Sequence, residues 1–313
     1  MRIEQNNSIM RYKHFAFFVF VMIVSLCSCA NRKDLRAKLI PQINEAYEGT
    51  NWIKILGLID SLQNNKENIQ DLWLIHSEAL VATEQTDKAL ELLNKKTIEE
   101  PDNYYSFHSL GNVYWIRNEL DKAIENYTKA IEIRPTYARS YINRAEVYKQ
   151  LSKDSEAVDS YMEAIRLFVQ NEFYAEVKMY VPKVLAIDST YTLAHSFLAY
   201  VYNEEKDYHS AAHLLYKAFK IEFENDNPRC LETMSFLGQT LYKSGEFEEA
   251  IRSLEIALLN QSSDHLWINY CYLACCYNKL KNTDKFEEYK KKASDINFEN
   301  TQKHIEFLLS LDF

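Results

Sequence analysis

The chain has 313 residues, 47% of them hydrophobic and 13% aromatic, with 36 Lys and Arg against 45 Asp and Glu. That much apolar side chain excludes a disordered polymer, and five glycines and five prolines are too few for the turns of a β-sandwich or an open α/β sheet. The composition points to an all-α protein. A net charge of −9, with the basic residues scattered among acids rather than gathered in a stripe, speaks against nucleic acid as a partner.

The first residues carry Arg2, Arg11, Lys13 and His14, and an uncharged apolar run follows from Phe15 to Leu26. A settled transmembrane helix needs ~20 such residues, so the run reads as the core of an export signal. It ends in Leu26-Cys27-Ser28-Cys29, which resembles the lipobox of bacterial lipoproteins. The resemblance implies a signal peptide over 1–28, fatty acids, palmitate among them, on Cys29, and a lipidated N-terminus and linker over 29–33. Cys27 does not fit, because Leu26 would then occupy the position that needs a small residue. Ala30 rather than Asp follows the lipidated cysteine, which implies sorting to the outer membrane. Met10 is an alternative start, directly ahead of the basic cluster.

The body repeats. Ala89, Ala123 and Ala157 stand 34 residues apart, and the same register pairs Trp73, Phe107 and Tyr141; Leu80, Tyr114 and Tyr148; Leu93, Tyr127 and Tyr161; and Pro101 with Pro135. Small residues in a fixed column suit the places where two helices cross, aromatic residues fill the wedge between neighbouring pairs, and proline stops the second helix. The pattern resembles the tetratricopeptide repeat, most completely over 104–137, where Phe107, Leu110, Gly111, Tyr114, Ala123, Tyr127, Ala130 and Pro135 all fall in register. His76, Lys96 and Arg144 depart from it. The resemblance implies an all-α solenoid, a right-handed superhelix of antiparallel helix pairs.

Further along, Leu198, Ala199, Tyr202, Ala211, Leu215 and Ala218 outline another unit, as do Leu237, Gly238, Ala250, Leu254 and Ala257, and then Leu273, Ala274, Tyr277 and Ala293. The sequence therefore divides into a degenerate helix pair at 34–69, three regular units at 70–171, an extra or degenerate helix at 172–191, three further units at 192–298 and an amphipathic capping helix at 299–313. Pro182 predicts a kink in the extra helix.

Motifs for dinucleotide, phosphate, zinc-protease or serine-hydrolase chemistry are absent from the sequence, so it gives no support for an enzyme and no call for a cofactor or a metal. His209 and His213 have a chelating spacing but read as a solvated pair. Cys271, Cys275 and Cys276 read as small packing residues on one helix, with Cys230 a disulfide candidate only across neighbouring units.

In the family that the repeat resembles, the first helices of each pair line a concave groove. Carried over, the groove takes Tyr105, His108, Asn112, Trp115 and Ile116, then Arg139, Ile142, Glu146, Lys149 and Gln150, and from the later units Tyr200, Asn203, Glu204, Gln239, Tyr242 and Lys243. Aromatic and Arg side chains are what interface centres favour, although Trp115 and Tyr105 would equally serve to pack one first helix on the next. Asn112 and Asn143 have the spacing of the clamp that holds peptide C-termini, but His108 stands where that clamp has Lys. The expected function is a lipid-anchored scaffold or adaptor of the bacterial cell envelope, facing the periplasm or the cell surface, that docks a protein or peptide partner. A glycan- or nutrient-binding lipoprotein and a component of outer-membrane assembly are the alternatives.

Overall fold

The structure, a computed structural model, describes residues 33–65, 67, 69, 72–259 and 266–311; the export signal and Cys29 lie outside the described residues. Among those described there are sixteen α-helices and no strand. In chain order they are α1 (Lys33–Glu48), α2 (Trp52–Asn64), α3 (Trp73–Ala82), α4 (Thr86–Glu99), α5 (Tyr104–Ile116), α6 (Leu120–Ile133), α7 (Ala138–Gln150) and α8 (Asp154–Gln170). They continue as α9 (Tyr174–Ile187), α10 (Thr192–Glu204), α11 (Tyr208–Glu224), α12 (Cys230–Ser244), α13 (Phe247–Ala257), α14 (Leu266–Lys279), α15 (Thr283–Ile296) and α16 (Phe298–Leu309).

The chain forms two compact units, one ending at Val147 and the other beginning at Tyr148, so that most of α7 belongs to the first. Within the first unit each helix from α1 to α5 packs on its successor, and α3 also lies beside α5. Within the second the same holds from α8 to α16, with α8 beside α10, α12 beside α14, and α14 beside α16. In α3 beside α5 and in α12 beside α14, first helices thus meet first helices, as stacked pairs require.

The small columns explain the close packing. Ala89, Ala123 and Ala157 are fully buried, as are the Tyr127 and Tyr161 side chains. A Cβ added at Gly111 would meet Tyr127 Cε1 at 2.6 Å, and one at Gly238 would meet Leu254 Cγ at 2.5 Å. Lys96, where the register wants a small residue, is buried nonetheless, with its ammonium 2.5 Å from Glu100 Oε1 and 5.6 Å from the centre of the Trp73 ring. Helix α4 ends ahead of Pro101 and α6 ahead of Pro135, where the ring disfavours helical geometry in the preceding residue. Helix α9 is helical on both sides of Pro182 and buries Val177, Val181 and Val184.

Turns inside the pairs share one conformation that the sequence conceals. Thr50, Glu84, Asn118 and Ser152, spaced by 34, all have φ between 54° and 62°, and Lys206, Gly245 and Lys281 repeat the geometry in later pairs. The residue after each donates its N–H back across the turn, as in Gln85 N to Leu80 O at 2.8 Å and Glu119 N to Tyr114 O at 2.9 Å. This left-handed ending satisfies the last helical carbonyls. Only one of these positions holds glycine, so the others adopt a conformation that costs an L-residue roughly 1 kcal/mol or more. The column also carries the 34-residue period back to Thr50, into the pair whose side chains had lost it.

Substitution of Gly111 and Gly57 by alanine should have opposite effects. Alanine is the better helix former by about 0.5–1 kcal/mol, and Gly57 has no atom within 4 Å of its missing Cβ, so Gly57→Ala should raise the melting temperature. At Gly111 the buried Tyr127 ring cannot retreat, and overpacking of ~1–3 kcal/mol should outweigh propensity. Lys206→Gly, which removes the left-handed penalty at an exposed turn, should stabilise by about 0.5–1 kcal/mol in urea titrations.

Candidate partner-binding surface

In the first unit, hydrogen bonds stitch α5 to α7. The Asn112 Oδ1 accepts from the Tyr127 hydroxyl at 2.7 Å and from Asn143 Nδ2 at 2.8 Å. Both donors are buried while Asn112 itself is half-exposed. With its oxygen taken twice, the amide is fixed in orientation, and its Nδ2 donates to no protein group among the described residues. A positioned, unused donor on a half-exposed surface is what a partner's carbonyl or carboxylate can engage.

His108 does not line this surface. It is 1% exposed, with Nδ1 3.0 Å from Ser140 Oγ, edge-on to Tyr137 at 5.1 Å and against Tyr127 at 5.5 Å. The small side chain of Ser140 leaves room for the imidazole between the helices, and the ring is drawn in. Burial, with the Arg139 charge adding to it, pushes its pKa down to about 3, so it is a neutral packing group. Tyr105 is half-buried and belongs to a ring cluster, with Trp73 at 6.4 Å, Tyr104 at 5.8 Å, Tyr137 at 5.7 Å and His108 at 5.8 Å. Burial and the nearby Glu78 push its phenol up to about 12. Trp115, Arg139 and Glu146 are each half-exposed, whereas Ile142 is buried.

The sequence reading passed over Glu78, which the 34-residue register places one unit back from Asn112. Its Oε2 accepts from the Tyr47 hydroxyl at 2.9 Å, and desolvation, opposed by that bond, pushes its carboxyl up to about 7. The signal that could have found it was the column of Asn112 itself, read backwards.

The second unit is stitched in the same manner. Asn203 Nδ2 donates to Thr240 Oγ1 at 2.9 Å, Ser235 Oγ to Asn269 Oδ1 at 2.5 Å, and Gln239 Nε2 to Ser235 Oγ at 3.1 Å. Gln239 remains half-exposed, Tyr200 is 41% exposed with its ring edge-on to Tyr174 at 6.4 Å, and Lys149 is exposed. Tyr242, expected in the groove, is fully buried: its hydroxyl donates to the Leu308 carbonyl at 2.8 Å, and its ring stands on Tyr272 at 5.3 Å. The cap helix covers it. Cys271, Cys275 and Cys276 are fully buried thiols, which burial holds well above the usual range, Cys271 and Cys275 at about 12.

Models of the tetratricopeptide repeat match residues 111–152, 138–168 and 190–258. These stretches are tetratricopeptide repeats. The described residues around them are all-α, built of packed helices in the same way. The chain is 32% identical over 83 residues to a UDP-N-acetylglucosamine--peptide N-acetylglucosaminyltransferase of Giardia intestinalis, a match covering 26% of this chain and 6% of that protein. It is 30% identical over 91 residues to the mouse (Mus musculus) DnaJ homolog subfamily C member 7, covering 28% of this chain and 18% of that one. The chain thus matches only a minor part of either relative. Among solved structures, a tetratricopeptide repeat protein from Parabacteroides merdae is 18% identical, with a TM-score of 0.37 and coverage of 77% of this chain and 97% of that one.

Glu78 and the buried imidazoles of the first unit act on stability with opposite sign. A carboxyl raised from about 4.5 to about 7 takes up protons on folding, so its contribution is full at low pH and is lost as pH rises through that range. His108, lowered to about 3, and His76, also lowered by burial, release protons on folding and cost stability as pH falls below the unfolded value near 6.5. Between pH 5 and 6.5 the two slopes oppose. In Glu78→Gln only the imidazole slope remains, so its denaturant-measured stability should fall more steeply than wild type on acidification, by up to ~1 kcal/mol per pH unit. Equal slopes would contradict the assignment.

Proposed function

We propose that this protein is a non-catalytic interaction scaffold of the bacterial cell envelope, exported, lipidated on Cys29, and docking a peptide or helical segment of a protein partner on the first-helix surface around Asn112. The observation that carries the docking site is the Asn112 amide, held by Tyr127 and Asn143 with its donor unused and flanked along α5 by half-exposed Tyr105 and Trp115. Such preorganisation lowers the entropic cost of binding, and the tetratricopeptide repeats support a role in protein–protein contact. The envelope setting is supported by the basic N-terminus, the apolar run Phe15–Leu26 and the lipobox-like Leu26-Cys27-Ser28-Cys29, with Ala30 favouring the outer membrane. Among the described residues no helix is long and apolar enough to cross a membrane.

Photo-crosslinking from position 115 in intact envelopes would identify the partner, and Asn112→Asp then tests the site. Aspartate keeps an acceptor for Tyr127 and Asn143 but replaces the amide donor by a negative charge. Affinity for the crosslinked partner should drop about tenfold or more, the loss of ~1.4 kcal/mol or more, with the melting temperature little changed. Unaltered affinity would remove Asn112 from the site. Trp115→Ala should weaken the same binding by ~2 kcal/mol if Trp115 is an anchor, and a collapse of stability instead would make it a packing wedge. Labelling with a fatty-acid analogue should disappear in Cys29→Ser and persist in Cys27→Ser.

A further inference from the structure

Helices α15 and α16 are separated by a single residue. Asn297 ends one and begins the other, with φ −142° and ψ 79°. The backbone ladder nearly bridges this bend: Asn297 N donates to Ala293 O at 2.9 Å and Thr301 N to Asn297 O at 3.2 Å, both with helical i to i−4 spacing. Only the intervening N–H groups are diverted. One of them, Asn300 N, is taken by the Asn297 side chain at 3.3 Å, which also accepts from Asn300 Nδ2 at 3.2 Å. The bend therefore depends on the φ and ψ of one residue and on the cap that its side chain supplies.

Beyond the bend, α16 docks by a stripe at i, i+4 and i+7: Thr301 is 1%, Ile305 2% and Leu308 0% exposed. The receiving surface is made by first helices of the same unit. Cys275 Sγ lies 3.9 Å from Ile305 O, and the Tyr242 hydroxyl caps the Leu308 carbonyl at 2.8 Å. None of these contacts requires that α16 come from the same chain as its receptor.

We propose that this surface also receives α16 of a second copy of the chain, giving an exchanged dimer. If Asn297 moves to helical angles, α15 and α16 fuse into one rod from Thr283 to Leu309, roughly 40 Å long at 1.5 Å per residue, and α16 is carried off its own receptor. Two such chains regain the docking of α16 on α12 and α14 by trading their cap helices, and each adds the helical bonds that the bend diverts, while α16 gives up its packing on its own α15. A short hinge of this kind is the established route to exchange between protomers. The surface is self-complementary by construction, because the occupant and the receptor are encoded in the same chain.

The test uses the full chain and Asn297→Ala, which removes the side-chain cap and favours helix without touching the docking stripe. Light scattering after size-exclusion chromatography should show a concentration-dependent dimer, with the dimer fraction at a given concentration increased at least tenfold in Asn297→Ala. To locate the contact, a photoreactive phenylalanine analogue is placed at Phe307, which is 57% exposed beside Trp267 and His304. Irradiation is carried out in an equal mixture of isotopically light and heavy chains. Attachment across the isotope boundary to α14 supports exchange. A chain that stays monomeric in both forms overturns the proposal. So does a dimer whose attachment to α14 remains wholly within one chain, since association would then use another face.

Discussion

A methyl group on Gly111 would lie 2.6 Å from the Tyr127 ring. That distance, closer than carbon atoms tolerate, fixes how near the two helices of the pair lie, and the rest of the first unit depends on it. Because the second helix is drawn in, the Tyr127 hydroxyl reaches through to Asn112 on the first. Because Asn112 is thereby oriented, it can also accept from Asn143 on the next first helix. A contact chosen for shape thus transmits into a polar link between neighbouring pairs. In the second unit Gly238 and Leu254 make the equivalent close approach.

The polar links between first helices perform a task that apolar packing does poorly. Leucine against leucine tolerates sliding, whereas a buried amide or hydroxyl without its partner costs ~1–3 kcal/mol. Ser235 with Asn269, Asn203 with Thr240, and His108 with Ser140 each specify one register between neighbours. They also tie up side chains that would otherwise face the edge of the surface, and Tyr200 itself stands against Tyr174.

Most of the fold was legible because it repeats. The Ala89, Ala123 and Ala157 column announced the crossings, and all three alanines are fully buried. The surface was less legible, since a repeat position says which way a residue faces within an ideal unit and not what the neighbouring unit presents to it. His108 was expected to face outward, but Ser140, 32 residues later, is small enough to admit it. Tyr242 was expected in the groove, but the carbonyl that takes its hydroxyl lies 66 residues away, in the cap. Both outcomes hinge on long-range partners with no periodic signature. The left-handed turn column stayed hidden for a different reason: backbone conformation recurs there with Thr, Glu, Asn and Ser in succession, so no residue type marks it.

That turn column has a mechanical consequence. A stack whose pairs contact mainly their neighbours resists tension as a chain of links rather than as one block, and the recurring turn sets the size of each link. Under a pull along the chain, a released 34-residue link would pay out roughly 110 Å of extended polypeptide. The close approach at Gly111 and the polar stitch beside it oppose that release together, so the links that contain them should be the last to yield, and the pairs without glycine at the crossing the first to lengthen.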